Sequence, residues 1–312
     1  MLTAGLRRAI GADDPQLRPG PVPGSYTSSL PFRLDPGDPR TAAEGLAARL
    51  REQLWIAKAE VTGPGFVTVT VTHAALARLA IRIPHAGLAC AESDALAGRT
   101  IDPARSAPVD SWPRARAALA AELTARLAAA AGAIIDPERA LVPAPASSPR
   151  GPVAEAIAYA GPDAVRFALA RMPPGGRAPE AAVIARHVLA NPAYAVRYAH
   201  AAAAAVLRWA AALGTRPAGF TPRLLAEPGE LALLDALSWL PERVAVAARR
   251  GRPDEFAGYL AELAACTIDT MSTSSFRKIP DISSERLWLA DAARTGLAAG
   301  LGLLGIDAPA RL

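Results

Sequence analysis

Arginine and tyrosine side chains lie close together along one stretch of the chain and could bind an anion or a flat ring. Tyr194 and Tyr198 flank Arg197 within one helical turn, and Arg208 follows eleven residues later. At 100° per residue, Arg208 returns to within about 20° of Arg197 around a helix. Guanidinium groups beside aromatic rings suit phosphates and unstacked bases, the features of single-stranded RNA loops. Half-buried packing tyrosines with a solvated arginine face are the alternative explanation.

One uninterrupted helix, from Asn191 to Leu213, is predicted to position these groups. Asn191 is a good helix cap, and Pro192 fits the first helical position, where no N–H is needed. Beyond Pro192 alanine is abundant, and no helix breaker intervenes before Gly214. Arg186 continues the eleven-residue spacing upstream, although the break at Asn191 separates it from the helix.

Residue types that carry catalysis or bind metals are few and scattered. Cys90 and Cys266 stand alone without a CxxC or His–Cys spacing, so neither a disulfide nor a zinc site is predicted. The four histidines are never within ten residues of one another. No nucleophile–base pair, metal cluster or phosphate-cradling loop stands out, so we predict no catalytic residue, no metal and no cofactor.

The composition is that of a globular protein with room for two or three domains. Of 312 residues, 51% are hydrophobic and 20% charged. The net charge of +5 permits a polyanionic partner without requiring one. Arg or Pro interrupts every apolar run before it reaches membrane-spanning length, and no signal peptide follows Met1, so we expect a cytoplasmic location.

Residues 1–98 are predicted to form a small α+β domain. The stretch after Pro39 has apolar residues at helical spacing, which predicts an amphipathic helix. Strict Val/Thr alternation from Phe66 to Thr72, preceded by a Gly-Pro-Gly turn, predicts a β-hairpin with Trp55 to Val61. A further helix is predicted from His73 through Arg82, so that helices cover one face of an antiparallel sheet.

Residues 99–151 are predicted to form a helical brace and linker. An alanine-rich helix follows Trp112 and carries Leu119, Leu123 and Leu127 on one face. A Pro- and Ser-rich stretch from Val142 to Pro152 is predicted to be an interdomain linker.

Residues 152–312 are predicted to form an all-α helical bundle. Apolar faces between Gly and Pro residues predict six helices besides the long one, at 153–160, 163–172, 179–190, 229–250, 254–268 and 283–304. Between Arg150 and Arg250, twelve arginines oppose seven acidic residues, whereas the rest of this part has six basic and eight acidic residues. The positive surplus therefore accompanies the long helix.

The long helix also carries a family resemblance. Its opening, NPAYAVRYAHA, resembles the N-P-x-Y-x-V-x-Y-A-H-A stretch of the DALR-type anticodon-binding domain of arginyl-tRNA synthetases. GPDAVRFALARM and the C-terminal LGLLGIDAPARL resemble further segments of that family, so the resemblance covers Pro152 to Leu312. It implies that this part reads a tRNA anticodon. With the spacing argument, it predicts RNA contacts at Arg186, Tyr194, Arg197, Tyr198, His200, Arg208, Phe276, Arg277, Lys278 and Arg311.

Two of these assignments have ordinary alternatives. His200 is equally well explained as a core histidine with a backbone partner. Arg277 and Lys278 follow a polar run in a loop, where solvated charge is as common as function.

The N-terminal part resembles the same family. AEVTGPGFVTVTV resembles the E-V-A-G-P-G-F-I-N hairpin of the N-terminal additional domain, which in the family contacts the D-loop of tRNA. The stretch 24–29, GSYTSS, is similar to its G-D-Y-x-[TS]-N element, but Ser25 replaces the acid and Ser29 the amide. A turn that satisfies its own backbone explains Ser28 and Ser29 as well.

In this family a Rossmann-type catalytic domain separates the two modules. Here only about fifty residues lie between them, and one βαβ unit alone takes about thirty. No histidine pair matches the H-x-G-H signature. MSTSS at 271–275 imitates the K-M-S-K-S signature, but Thr270 replaces its leading lysine and the motif follows the long helix. We interpret this motif as a helix end or loop.

The sequence therefore predicts a catalytically inactive relative of arginyl-tRNA synthetases that binds tRNA or tRNA-like RNA. The alternative is a protein-interaction or regulatory module, for example one docking on a synthetase, that kept the fold but lost RNA binding. A decayed paralogue without a selected function is a third hypothesis.

Overall fold

A four-stranded antiparallel sheet organises the N-terminal part of the computed structural model, which describes residues 2–12, 14–101, 110–135 and 150–312. The strands β1 (Leu17–Pro19), β2 (Ser25–Ser28), β3 (Ile56–Thr62) and β4 (Phe66–Val71) lie in the order β1-β2-β4-β3. The accompanying helices are α1 (Leu2–Ile10), α2 (Pro31–Leu34), α3 (Pro39–Arg51), α4 (His73–Ala77) and α5 (Leu79–Ala86), followed by a 3-10 turn at Gly87–Ala91.

The predicted hairpin and the helix before it are both present. In β4 the three valines are buried and the residues between them are half-buried, so the period-2 pattern turns one face towards the core. Helix α3 begins where the Asp38 carboxylate accepts a hydrogen bond from the Thr41 N–H at 3.1 Å. Leu46 and Leu50 of α3 are buried where this helix packs against β3 and β4.

The described residues between the two predicted modules form one long helix and a short strand pair. Helix α6 (Trp112–Ala130) follows, and the two-residue strands β5 (Thr100–Ile101) and β6 (Ile134–Ile135) pair in parallel. The predicted leucine face of α6 is confirmed, because Leu119, Leu123 and Leu127 are buried. Most of the predicted linker at 142–152 lies outside the described residues.

The remaining chain is helical. The helices are α7 (Pro152–Ala160), α8 (Pro162–Arg171), α9 (Ala181–Ile184), α10 (Pro192–Ala212), α11 (Pro228–Ser238), α12 (Leu240–Arg250), α13 (Pro253–Met271), α14 (Ser274–Arg277) and α15 (Ser284–Leu304), with 3-10 turns at Pro222–Leu224 and Ile279–Asp281. The predicted fold class, a small α+β part followed by an all-α bundle, is confirmed. Within the described ranges, every helix is too short or too polar to cross a membrane.

The N-terminal part packs directly on the bundle. Helix α15 lies against α10 and α13 on the bundle side and against α5 and the turn at Gly87–Ala91 on the other. The Tyr26 hydroxyl donates to Ser238 Oγ at 2.7 Å, and the Gly24 N–H donates to Asp235 Oδ1 at 2.8 Å. Two residues of the stretch 24–29 are therefore bonded to α11, whereas Ser28 and Ser29 bond to Pro15 and Gln16. The three-part division at residues 98 and 151 stays a prediction.

Three helix predictions are wrong in extent. The predicted helix at 73–82 divides at Arg78, because α4 packs against α11 while α5 packs against α15. The predicted helix at 229–250 divides at Trp239, because Pro241 lacks the N–H that would continue the helix and its ring excludes a straight path. Only α9 is helical within the predicted 179–190, because the Asn191 amide binds the carbonyls that a longer helix would use.

Helix α15 approaches α13 through a glycine. A Cβ at Gly300 would lie 2.3 Å from Cδ2 of the fully buried Leu260. We expect Gly300→Ala to lower the free energy of unfolding by about 1–3 kcal/mol, because the core must shift to admit a methyl group. The matched control is Gly302→Ala on the same helix, where nothing lies within 4 Å. It should raise stability by about 0.5–1 kcal/mol through helix propensity. Chemical denaturation measures both, and equal stabilities would contradict the packing.

Candidate nucleic-acid interface

Helix α10 begins at a firmly bonded cap, Asn191. The Asn191 Oδ1 accepts a hydrogen bond from the Ala193 N–H at 3.2 Å. Its Nδ2 donates to the carbonyls of Ile184 at 2.9 Å and Arg186 at 2.7 Å. One buried side chain therefore ties the segment before the helix to the first turn of the helix, and it fixes His187 beside that turn.

Three flat rings stack at this end of α10. The His187 and Tyr194 ring centroids are 5.4 Å apart with planes 12° apart, and those of Tyr194 and Tyr198 are 5.8 Å apart with planes 27° apart. His187 is exposed, Tyr198 is 37% exposed and Tyr194 is half-buried. We call these three residues the aromatic column. A column of rings that ends in solvent offers a surface on which a base can stack.

His187 is absent from the predicted contact residues. It lies seven residues before Tyr194, but the helix cap intervenes, so helical spacing could not place it on the same face. Its only signal in the sequence is an aromatic ring close to the cap of a helix that carries two tyrosines.

Arg197 lies between the two tyrosines and is half-buried. Its Nη2 is 3.8 Å from Oδ2 of Asp163, at the start of α8. Its Nε is buried and has no hydrogen-bond partner among the described residues. The guanidinium is thus oriented by a loose ion pair, and only the exposed part of its side chain can reach an incoming anion, because the Nε is shielded from solvent.

The C-terminal segment lies along the second half of α10. His200, 4% exposed, has its Nδ1 2.9 Å from the Pro309 carbonyl oxygen. Arg208 Nη1 donates to the Ala310 carbonyl oxygen at 2.6 Å. Both contacts hold the tail against the helix. His200 is therefore a buried anchor for the tail, which corrects its predicted place at the RNA surface and agrees with the core explanation of this histidine.

Burial makes His200 sensitive to pH. Desolvation lowers its pKa, and the charge of Arg294 acts in the same direction, against the raising effect of the Pro309 carbonyl. As the pH falls through about 6.5, the unfolded imidazole binds a proton that the folded one resists. The free energy of unfolding should therefore fall, by at most about 1.4 kcal/mol per pH unit.

Urea denaturation at pH 7.5 and 5.5 measures this effect. Wild-type protein should lose more stability than His200→Gln between the two pH values. Equal losses in wild type and His200→Gln would contradict a lowered pKa at His200.

The loop before α15 is held by a charged cluster. Ser275 Oγ donates to Glu227 Oε1 at 2.6 Å, and Arg286 bridges Glu227 and Glu230 at 2.7 Å each. Phe276 is 1% exposed and anchors the loop in the core. A ring so deeply buried cannot stack on a base. The predicted RNA contact of Phe276 is therefore wrong, and this residue instead supports the loop.

Four predicted contact residues carry exposed cations: Arg186, Arg277, Lys278 and Arg311. In the described part of the chain none of these side chains has a hydrogen bond or an ion pair. Arg277 and Lys278 precede the turn at Ile279–Asp281, which packs against α10, and Arg311 follows the tail residue bound by Arg208. These charges are available to phosphates.

The candidate residues fall into two groups along α10. Arg186, Arg197 and the aromatic column lie at its N-terminal end. Arg208 and the C-terminal tail lie about 16–21 Å further along, at 1.5 Å per residue. The first group combines stacked rings with cations, so it is suited to an unstacked base and its phosphate, whereas no stacked pair of rings lies near Arg208 in the described part of the chain.

The metal-binding residue types and the two cysteines of the described ranges are dispersed or buried. No group of three or more His, Cys, Asp or Glu in the described ranges could hold a metal ion. Burial raises the pKa of the Cys90 thiol to about 12 and that of Cys266 to about 11, so neither is a thiolate nucleophile at neutral pH. The MSTSS motif spans the end of α13 and the start of α14, which confirms its interpretation as a helix end.

Helix α10 of this all-α bundle thus displays arginines and stacked rings on its surface. Residues 196–312 match the DALR anticodon binding domain family. The resemblance to arginyl-tRNA synthetases predicted from NPAYAVRYAHA is confirmed for the C-terminal half of the chain.

Similar proteins are arginine–tRNA ligases. That of Clavibacter sepedonicus is 38% identical over 161 residues, which cover 49% of this chain and 28% of the ligase. That of Kineococcus radiotolerans is 42% identical over 131 residues, which cover 39% of this chain and 23% of the ligase. The chain thus spans about a quarter of the length of the curated relatives that it matches.

The same fold occurs in a solved structure. Arginyl-tRNA synthetase of Thermus thermophilus superposes with a TM-score of 0.66 at 14% sequence identity, over 100% of both chains. At this identity the match concerns the fold.

Proposed function

We propose that this chain binds tRNA, or an RNA shaped like tRNA, along helix α10 and forms no aminoacyl bond. The observation that carries the proposal is the aromatic column with Arg186 and Arg197 beside it, at the surface of a DALR-type bundle. The names of the similar proteins, arginine–tRNA ligases, supply the class of RNA. We further propose a cytoplasmic location, where such an RNA is found.

Binding would divide between stacking and charge. An unstacked base extends the aromatic column by stacking at either end of it, on Tyr198 or His187, and each stacked base contributes about 1–3 kcal/mol. Phosphates on either side contact the exposed cations, and the half-buried Arg197 contributes through the exposed part of its guanidinium. The cations along the second half of α10 and the tail then bind the backbone further along the same RNA.

Footprinting of bulk tRNA tests this arrangement. We expect protection of the anticodon loop from single-strand nuclease and none of the acceptor end. Protection of the acceptor end with an accessible anticodon loop would contradict the assignment.

The sheet topology of the described residues supports the proposed lack of aminoacylation activity. The described sheets are one antiparallel four-stranded sheet and one pair of two-residue strands, whereas a nucleotide-binding α/β fold needs several parallel strands. We expect no arginine-dependent ATP–pyrophosphate exchange by the purified protein. Exchange above that of a no-enzyme control would contradict this part of the proposal.

Docking to a protein is the second candidate function. Trp209 and Leu213, each 58% exposed, lie one turn apart at the C-terminal end of α10. Exposed apolar side chains of this size favour a protein partner over a phosphate backbone. The direct test is sedimentation with a purified arginine–tRNA ligase, with Trp209→Ala as the variant that should lose the complex.

A further inference from the structure

A second concave site lies apart from α10. It is a cleft of about 890 Å³ between α1, the end of α3, the α4–α5 pair and the segment that precedes α11. Three arginines line it, Arg8, Arg78 and Arg82, together with Trp55 and Phe220. None of the described residues that line it is acidic, and none belongs to α10.

The three arginines of the cleft are unpaired. Each is exposed, and none has a side-chain hydrogen bond or an ion pair with any residue that the structure describes. Many other arginines of this chain pair with a carboxylate, as Arg286 does with Glu227 and Glu230. Three guanidiniums that converge without a carboxylate raise the local positive potential, and an anion is the ligand that lowers it.

Hydrogen bonds fix the backbone segments that carry the two aromatic rings. The Trp55 backbone carbonyl accepts a hydrogen bond from the Thr72 N–H at 2.8 Å. A Cβ at Gly5 would lie 3.6 Å from the Trp55 ring, so α1 packs against that ring. Phe220 lies in a segment held by α15. The Trp288 indole donates to the Ala218 carbonyl at 2.9 Å, and the Thr221 N–H donates to Glu285 at 3.0 Å.

The chain break at Arg78 has a role in this cleft. Arg78 ends α4 and begins the turn into α5, and Arg82 follows one helical turn later. Arg78 and Arg82, at i,i+4 spacing, therefore line the same cleft, and Arg8 lines it from α1. Flat rings, an apolar floor from α1 and α4 and three cations are the complement of a nucleobase with attached phosphate.

We propose that this cleft binds a nucleoside phosphate, with the base against Trp55 and Phe220 and the phosphate on Arg8, Arg78 and Arg82. A nucleotide within RNA and a free nucleotide share this chemistry. The proposal goes beyond the RNA contact on α10 and does not depend on it.

Calorimetric titration with adenosine 3′,5′-bisphosphate tests the cleft. This probe is one RNA nucleotide with both flanking phosphates. Wild type should bind it, and Arg78→Gln/Arg82→Gln should bind at least about tenfold more weakly, since charge-assisted hydrogen bonds are lost. Trp55→Leu should weaken binding by about five- to tenfold through loss of stacking. Arg177→Gln, at an arginine exposed elsewhere, is the matched control and should bind as wild type does.

The outcomes separate this site from the one on α10. Retained binding in Tyr194→Ala together with loss in the Arg78/Arg82 variant supports the cleft. Loss in Tyr194→Ala with binding retained in the Arg78/Arg82 variant overturns it, as does the absence of binding to wild type. Because the arginines are exposed, circular dichroism should show an unchanged fold in the double variant.

Competition then distinguishes the source of the nucleotide. Displacement of the bisphosphate by bulk tRNA from the Tyr194→Ala variant assigns the cleft to an RNA nucleotide. Retention of the bisphosphate under tRNA, with displacement by ATP, assigns it to a free nucleotide. If tRNA binding depends on the cleft arginines but not on Tyr194, the proposed role of α10 fails while the cleft assignment stands.

Discussion

Replacing Tyr194 and Tyr198 together by alanine is expected to weaken tRNA binding by about 5- to 150-fold. The two rings form two thirds of the aromatic column, and each stacked base contributes about 1–3 kcal/mol. The loss should be larger than for any single exposed cation, because a surface charge contributes mostly non-specific attraction. Equilibrium filter binding with bulk tRNA at fixed ionic strength measures the change.

The control for this prediction keeps the rings. Tyr194→Phe/Tyr198→Phe should bind tRNA within about threefold of wild type, since stacking needs only the π-face. If the alanine double variant binds tRNA with the affinity of wild type, the aromatic column is not part of the interface. A loss of equal size in the phenylalanine variant would assign the effect to the hydroxyl groups instead.

Asn191→Ala is expected to lower both stability and affinity. The substitution removes a helix cap and two hydrogen bonds to the carbonyls of Ile184 and Arg186, which should cost about 2–4 kcal/mol in the free energy of unfolding. Because the same side chain fixes the segment that carries His187, tRNA affinity should fall by about tenfold even under conditions where the variant is fully folded.

A second substitution at the same position separates the two roles of Asn191. Serine retains an acceptor for the N–H groups of the first turn but cannot reach both carbonyls, so Asn191→Ser should lose about half as much stability as the alanine variant. If Asn191→Ala is destabilised while the folded variant binds tRNA as wild type does, His187 does not contribute to the interface. Thermal denaturation and filter binding on the same preparations provide the comparison.

Local signals in the sequence predict the elements that position the site. The cap at Asn191, the proline that follows it and the uninterrupted alanine-rich run specify α10 almost to the residue, since helix ends depend on near neighbours. The Val/Thr alternation of β4 predicts the buried face of the hairpin in the same way.

Contacts between distant segments could not be predicted in this way. Whether His200 faces solvent depends on the Pro309 carbonyl, 109 residues further along, and Phe276 is buried by helices that its own loop does not specify. The cleft arginines come from α1 and the α4–α5 pair, and only the tertiary fold places them opposite each other. Pro241 indicates a break in the helix near Trp239. The apolar pattern, however, continues through Trp239 and favours one unbroken helix.

The salt dependence of tRNA binding to the wild-type protein tests the central claim most directly. The dissociation constant is measured by filter binding at several concentrations of monovalent salt. The cations along α10, in the loop before α15 and in the tail should give a slope of the logarithm of the association constant against log salt on the order of −3 to −5. A slope near zero, or no binding at low salt, would contradict the claim that this chain binds an RNA through its helical bundle.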